Sequence, residues 1–280
     1  MKKLTLLFCA ALVSFAVQGQ ISTPAPSPAA KIKQVVGLTN VTVEYSRPSM
    51  RGRTIFGNLV PYDKLWRTGA NARTKITFGD DVKIGEQTVK AGTYAIFTKP
   101  GAASWEVIFY TDASGGGTPQ DWDESKVAAK TTAEVYSMPM DVQTFTMTID
   151  DLNNNGATLG MLWEKTYVGV PFTVPTSDKA VKSIESVMSG PSGNDYFAAA
   201  SYYFEEGKDL GKAKEWIDKA VSMNDKAFWV MRQQSLIYAK MGDKAGAIKA
   251  AKRSLQVAEA AGNADYVKMN KDSLKEWGAM

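Results

Sequence analysis

The chain contains no histidine, and its single cysteine, Cys9, lies close to the amino terminus. If an export signal is removed, the remaining chain has neither residue type. This excludes thiol nucleophiles, disulfide bonds, Ser-His-Asp triads and the Zn²⁺ sites that are built from Cys and His. A Ca²⁺ site of oxygen ligands stays open, but no acidic cluster has the spacing of a helix-loop-helix Ca²⁺ loop. We therefore expect no metal and no cofactor.

The amino terminus has the three parts of a secretory signal. Lys2 and Lys3 are followed by an apolar run over residues 4–17, and small residues then lead to Gln20. This pattern predicts a signal peptide over residues 1–19, cleavage after Gly19, and a periplasmic or secreted protein. No second apolar run of membrane-spanning length follows, so we expect no membrane span in the mature chain.

Charge is nearly balanced along the chain. The formal net charge is +4, and it falls to +2 without Lys2 and Lys3. Such a small excess gives no reason to expect a nucleic-acid partner.

Composition divides the rest of the chain into three parts. Residues 20–30 are rich in Pro, Ser and Ala and are predicted to be a flexible segment. Residues 31–176 are predicted to be an all-β domain, because short alternating or β-branched stretches are separated by turn signals. The predicted strands are 41–45, 74–78, 93–98, 105–110, 142–149, 157–163 and 165–174. Many short strands with close turns predict an antiparallel β-sandwich or barrel-like domain.

Residues 177–280 are predicted to be a helical repeat domain. A repeat of 34 residues aligns Ala213 with Ala247 and Ala220 with Ser254, and Gly207 and Gly242 follow the first helix of each pair. This pattern resembles the tetratricopeptide repeat, in which a small residue lets two helices pack closely. The predicted helices are 177–189, 192–206, 210–223, 227–241, 244–261 and 264–277.

Arginine is concentrated in one place. Of seven arginines, five fall in one stretch, at Arg47, Arg51, Arg53, Arg67 and Arg73. Aromatic residues are interleaved with them, at Tyr45, Phe56, Tyr62 and Trp66. Arginine binds carboxylate, sulfate and phosphate groups with a rigid planar fork and also stacks on aromatic rings. This stretch is therefore the best candidate for a binding site.

The same stretch carries a family resemblance. It reads YSRPSMRGRTIFGNLVPYDKLWRTGAN from Tyr45 to Asn71, and the pattern continues with AGTY at residues 91–94. The chain thereby resembles, over about residues 39–174, the exported bacterial family known as domain of unknown function 2911. The resemblance implies an exported β domain that is often followed by helical repeats, and it implies no activity.

Seven residues are candidates for ligand binding: Tyr45, Arg47, Arg51, Arg53, Trp66, Arg67 and Asn71. In an extended segment, Arg47, Arg51 and Arg53 would share one face. Together with Trp66 for stacking and Asn71 for orientation, they could hold an anionic or glycan-type ligand. The alternative is that the arginines pair internally with Glu44, Asp63, Asp80 or Asp81, and that Trp66 simply fills the core.

Three functions stay open. The first is a binding or scaffold protein that holds an anion or glycan in the β domain and a protein or peptide partner on the helical repeats. The second is an envelope glycan- or ester-directed hydrolase with carboxylates as acid and base. The third is a purely structural envelope component. We expect binding rather than catalysis because no histidine is present to act as a base, and no catalytic residue is assigned.

Overall fold

The computed structural model describes residues 23–188 and 190–280. The predicted signal peptide, residues 1–19, lies outside the described residues, as do residues 20–22 of the segment predicted to be flexible. The chain divides into two compact units, with the division between Val174 and Pro175. Antiparallel strands make up the first unit and α-helices the second. The predicted order, an antiparallel β domain followed by helical hairpins, is confirmed.

The described part of the β unit contains nine strands in one open antiparallel sheet, in the order β1-β2-β3-β6-β7-β8-β9-β4-β5. Their bounds are β1 Ala29–Val36, β2 Thr39–Ser46, β3 Lys75–Phe78, β4 Val82–Ile84, β5 Gln87–Val89, β6 Gly92–Pro100, β7 Ser104–Tyr110, β8 Val127–Asn153 and β9 Gly156–Thr173. A short 3₁₀ helix, Glu124–Lys126, precedes β8.

The long strand β8 joins two parts of the sheet. Its first residues pair with β7, and its later residues pair with β9, with breaks of register after Ser137 and after Val142. The predicted strand 142–149 is therefore only the middle of β8. The predicted turn is present, since Asn153 pairs with Gly156 across the end of the hairpin.

The prediction of a separate strand over residues 165–174 is wrong, because this segment continues β9. The polar residues Glu164 and Lys165 lie at the boundary between the two predicted strands. Glu164 instead adopts a positive φ of 55° and bends the strand without ending it. Its carboxylate also accepts hydrogen bonds from the backbone N–H groups of Ile55 and Phe56, at 3.3 Å each, which holds the arginine-rich connection against β9.

The main core lies between the two parts of the sheet. Buried side chains of β2, β3, β6 and β7 form a single cluster with those of β8 and β9. Phe78 of β3 contacts Phe172 of β9, with ring centroids 5.6 Å apart. Phe145 of β8 lies at the centre of several ring contacts, with Tyr45, Trp66 and Trp163 at 5.9, 5.4 and 5.8 Å.

A second, smaller core lies on the opposite face of β6 and β7. It contains Ala95, Phe97, Ile108 and Tyr110. Trp122, from the connection between β7 and β8, covers it by stacking on Tyr110 at 4.6 Å. This connection therefore belongs to the folded body of the β unit.

Six helices make up the described part of the second unit: α1 Thr176–Val187, α2 Gly193–Glu205, α3 Leu210–Met223, α4 Phe228–Lys240, α5 Lys244–Ala260 and α6 Ala264–Glu276. Gly207 and Gly242 take positive φ angles of 63° and 83° after α2 and α4, a conformation that costs glycine little. Asp209 and Asp243 then cap the following helices. No helix of the described residues is long and apolar enough to cross a membrane.

Phe145→Ala should lower the free energy of unfolding of the β unit by about 3–5 kcal/mol, because it removes a fully buried ring and leaves a cavity. Unfolding in urea, followed by tryptophan fluorescence, measures this change. Tyr136→Ala is the control, since Tyr136 is 57% exposed, and it should change the same quantity by less than about 0.5 kcal/mol. A similar loss in both variants would contradict a central role for Phe145.

Candidate functional site

The arginine-rich connection between β2 and β3 begins as an extra piece of sheet. Residues 46–50 run antiparallel to β8, with Met50 N donating to Gln143 O at 2.8 Å and Phe145 N donating to Pro48 O at 2.9 Å. The hydroxyls of Ser49 and Thr144 lie 3.1 Å apart across this pairing. The connection therefore starts by binding the part of the sheet that lies across the core from β2.

Arg47 reinforces this pairing through its side chain. Its Nε donates to Phe145 O at 3.1 Å and its Nη2 donates to Thr146 Oγ1 at 2.7 Å. Both acceptors belong to β8. Arg47 thus uses its Nε and Nη2 groups to hold residues 46–50 against β8.

Arg51 and Arg53 do not share a face with Arg47 on an extended strand. Arg51 and Gly52 take φ angles of 52° and 74°, so the chain turns between the two arginines. Arg53 closes this turn by donating Nε to Met50 O at 2.8 Å and Nη2 to Ser49 O at 2.7 Å. The prediction that Arg47, Arg51 and Arg53 share one face is wrong, because it assumed an extended segment.

Arg51 and Asn71 instead contact the chain that precedes β1. Arg51 Nη2 donates to Pro26 O at 3.0 Å, and Asn71 Nδ2 donates to Ser27 O at 3.0 Å. Asn71 Nδ2 also lies 3.4 Å from Ser46 Oγ. Two of the predicted ligand-binding side chains therefore bind the protein's own backbone.

Trp66 and Tyr45 point into the main core. The Trp66 ring lies nearly parallel to Trp163 at 6.0 Å, and its Nε1 donates to Gly69 O at 3.2 Å. The Tyr45 hydroxyl accepts from Met147 N at 3.1 Å. The geometry of Trp66 fits the alternative in which it fills the core, although its side chain stays partly exposed.

Gly69 allows the connection to return close to β2. A Cβ at this position would lie 2.9 Å from Thr74 Oγ1 and 3.2 Å from Ser46 O, and its φ of 147° disfavours other residues. Thr74 Oγ1 in turn donates to Thr68 O at 2.5 Å. The sequence Thr68-Gly69-Ala70-Asn71 is therefore a compact turn against the end of β2.

Arg67 lies on the other side of the connection from Trp66. Backbone bonds between Trp66 and Thr98 make this segment extended, and Leu65 packs against the second core. Alternation then places Arg67 on that same side. Its Nε is buried and has no hydrogen-bond partner among the described residues.

Arg73 was not among the predicted site residues, yet it is the most deeply held of the five. Its Nη1 donates to Asp112 O at 2.9 Å and lies 3.2 Å from Asp112 Oδ2, and its Nε donates to Gly117 O at 3.3 Å. The guanidinium also lies 5.6 Å from the centre of the Phe97 ring. Arg73 therefore anchors the connection between β7 and β8.

Three of the four acidic residues that were predicted to pair with the arginines contact other residues. Glu44 pairs with Lys31, Asp81 with Lys90, and Asp80 accepts from Thr39. Within residues 23–188 and 190–280, no carboxylate lies at ion-pair distance from the other four arginines of the stretch. Arg47, Arg51 and Arg53 donate mainly to carbonyl oxygens, which use their N–H groups without cancelling their charge.

An open cavity of about 380 Å³ lies beside this stretch, on strands β1 to β3. We call it the cationic cavity. Its lining residues are Ala29, Ala30, Lys31, Glu44, Tyr45, Ser46, Ala72, Arg73 and Lys75. Two lysines therefore face one carboxylate, while Arg73, which also lines the cavity, has its guanidinium paired with Asp112. Of the seven predicted residues, Tyr45 lines this cavity and Asn71 contacts its Ser46.

The register of the sheet creates the charge pattern of the cationic cavity. Glu44 pairs with Lys31 on one side and with Lys75 on the other. The hydrogen bond from Lys31 lowers the pKa of Glu44, and the charges of Lys75 and Lys33 lower it further. The alternation of Lys31 and Lys33 is visible in the sequence, but their position opposite Lys75 depends on strand pairing.

No group of His, Cys, Asp and Glu that could hold a metal ion occurs within the described part of the chain.

The β unit is thus an antiparallel domain with an open, positively charged cavity next to its arginine-rich connection. Residues 27–172 match the model of a protein family described as "Protein of unknown function (DUF2911)". Since this match covers more than half of the chain, the protein belongs to that family. No curated protein sequence matches the chain significantly.

Ser114→Ala should raise the pKa of Asp112 from about 2 towards its ordinary value of 3.8. The Ser114 hydroxyl and N–H donate to the Asp112 carboxylate at 2.6 and 3.1 Å and are the main cause of the low pKa, and Arg73 adds to it. Because the folded pKa is lowered, the stabilisation is present above about pH 4 and is lost as the pH falls towards 2. In the variant, this stabilisation should be smaller and its loss should be complete at a higher pH.

Carboxyl ¹³C NMR titration measures the pKa of Asp112 in both proteins. Ser125→Ala is a matched control, since Ser125 donates to Asp123 with the same geometry in the same connection. It should leave the Asp112 titration unchanged. An unchanged Asp112 pKa in Ser114→Ala would show that the backbone N–H of residue 114 and Arg73 set it without the hydroxyl.

Proposed function

We propose that this protein is an exported binding protein whose β unit holds an anionic ligand, with anionic glycans as the favoured class. The observation that carries the proposal is the cationic cavity, where Lys31 and Lys75 face the single carboxylate of Glu44, and where the lining also includes Arg73, whose guanidinium is paired with Asp112. A ligand with a carboxylate, sulfate or phosphate group would replace repulsion among these cations with attraction.

The unneutralised arginines support the same proposal. Arg51 and Arg53 are exposed, and their hydrogen bonds to carbonyl groups leave their positive charge in place. Their field adds to that of the lysines and favours the approach of an anion. The arginines therefore contribute charge to the site, while Lys31 and Lys75 supply the donors that remain accessible in the cavity.

Catalysis at the cationic cavity has less support. A hydrolase of the kind considered from the sequence needs two carboxylates, one of which has a raised pKa so that it can act as an acid. Glu44 is the carboxylate that lines the cavity, and Lys31 lowers its pKa. Binding fits this chemistry better than acid catalysis does.

Binding of sulfated, phosphorylated and uronic-acid oligosaccharides by calorimetry tests the proposal. The double variant Lys31→Gln/Lys75→Gln should bind an anionic ligand about tenfold more weakly, because two partly exposed charge contacts together contribute about 1.4 kcal/mol. Lys64→Gln/Lys83→Gln removes the same total charge from exposed sites outside the cavity and should change the affinity little. Equal weakening in both double variants, or no binding by the unaltered protein, would overturn the proposal.

We also propose that the helical unit binds a protein or peptide partner through tetratricopeptide-like hairpins. Ala213 and Ala247, at equivalent positions of the sequence repeat, are fully buried. A small cavity of about 210 Å³ includes the partly exposed side chains of Met223 and Trp229. Exposed Met and Trp side chains beside a cavity are suited to an apolar side chain of a partner.

Peptide arrays probed with the purified protein test this second site. Trp229→Ala should abolish binding to the peptides that the unaltered protein recognises. Met241→Ala, which removes another exposed apolar side chain of the helical unit, should leave this binding intact. Binding that survives Trp229→Ala would place any peptide site elsewhere.

A further inference from the structure

Three consecutive carbonyl groups before β1 are bound by the arginine-rich connection. Arg51 Nη2 donates to Pro26 O, Asn71 Nδ2 to Ser27 O, and the backbone N–H of Arg47 to Pro28 O, at 3.0, 3.0 and 2.8 Å. We call residues 23–28 the N-terminal segment. Each donor binds the next carbonyl along this segment, so the contact has a defined register.

The two partners of this contact contribute different hydrogen-bonding groups. The three groups contributed by the connection are all donors, and the three groups contributed by the N-terminal segment are all acceptors. Proline suits the accepting side, because it has no backbone N–H that would need a partner of its own. Proline also favours an extended backbone whose carbonyl groups are free to accept bonds.

We propose that Arg47, Arg51 and Asn71 form a docking groove for an extended, proline-containing peptide segment, and that the chain's own N-terminal segment is its occupant. The proposal goes beyond anion binding, since the groups that are bound are neutral carbonyls. It gives Arg51 and Asn71 a specific role, which is to fix the point where the chain enters β1.

Two further observations support an ordered contact. The bond from Arg47 N to Pro28 O continues the ladder between β1 and β2 by one step, beyond the pairing of Ala29 with Ser46. The family match begins at residue 27, so it includes two of the three bound carbonyls. The groove and the docked end of the segment thus fall within one family pattern.

The experiment measures the motion of a label attached to a single introduced cysteine. In the full chain, Cys9→Ser removes the native thiol and Ala25→Cys adds one in the N-terminal segment, to which a rigid nitroxide label is attached. Electron paramagnetic resonance then reports the motion of the segment without any added ligand, so the result is independent of the cationic cavity. The label should move slowly in this parent protein.

The double change Arg51→Gln/Asn71→Ala in this parent should shorten the rotational correlation time of the label several-fold, because two of the three donors are lost. Lys64→Gln is the matched control, since Lys64 is an exposed cation of the same connection that lies outside the turn at Arg51 and Gly52. It should leave the spectrum of the label unchanged.

Three results would overturn the proposal: a mobile label in the parent, an unchanged spectrum in the double variant, or an equal increase of mobility in the Lys64→Gln control. Circular dichroism verifies that each variant is folded. If the double variant does not fold, Asn71→Asp replaces the donating Nδ2 by an accepting oxygen of similar size. This single change must then raise the mobility of the label, and an unchanged spectrum overturns the proposal.

Discussion

Hydrogen bonds from arginine to backbone carbonyls are the interaction on which the arginine-rich connection depends. Arg47 binds β8, Arg53 closes the turn at Gly52, and Arg73 holds the connection between β7 and β8. A long irregular connection has many carbonyl groups without strand partners, and such groups are costly when they lie away from water. The rigid fork of arginine satisfies several of them at once.

Hydrogen bonding to a carbonyl oxygen, and not to a carboxylate, affects how much positive charge remains around the arginines. A carboxylate would satisfy the guanidinium and also cancel its charge, whereas a carbonyl oxygen only accepts the hydrogen bond. The β unit therefore stays positive around Arg47, Arg51 and Arg53, whereas Asp112 neutralises Arg73, and the lysines of β1 and β3 extend the positive region over the sheet. Structural and binding roles of the arginines are compatible for this reason: their N–H groups hold the fold while their charge acts on the surroundings.

Much of the fold follows from local sequence patterns. The core strands alternate or are β-branched, and the helices are bounded by glycine and capping aspartate, so both were predictable. Strand β8 was predicted only in part, because its first half, residues 127–141, has small residues such as Ala129 and Ala133 on its buried face and includes Met138-Pro139-Met140. Only its pairing with β7 and β9 makes this segment a strand.

The site was less predictable than the fold. The density of arginine draws attention to residues 45–73, but it does not show which donors remain accessible. That depends on the turn at Arg51 and Gly52, which separates side chains that would share a face on a strand. The cationic cavity depends on register, since Lys75 reaches Glu44 only through the pairing of β2 with β3.

The proposed groove and the cationic cavity share one structural element, the start of β1. Ala29 and Ala30 line the cavity, and they directly follow the three carbonyls bound by Arg51, Asn71 and Arg47. Ala29 and Ala30 pair with Ser46 and Tyr45, which also line the cavity, and fixing the three carbonyls extends this pairing and secures the end of the cavity wall. Docking of the N-terminal segment therefore preorganises the cavity, which reduces the entropy that a bound ligand would otherwise lose.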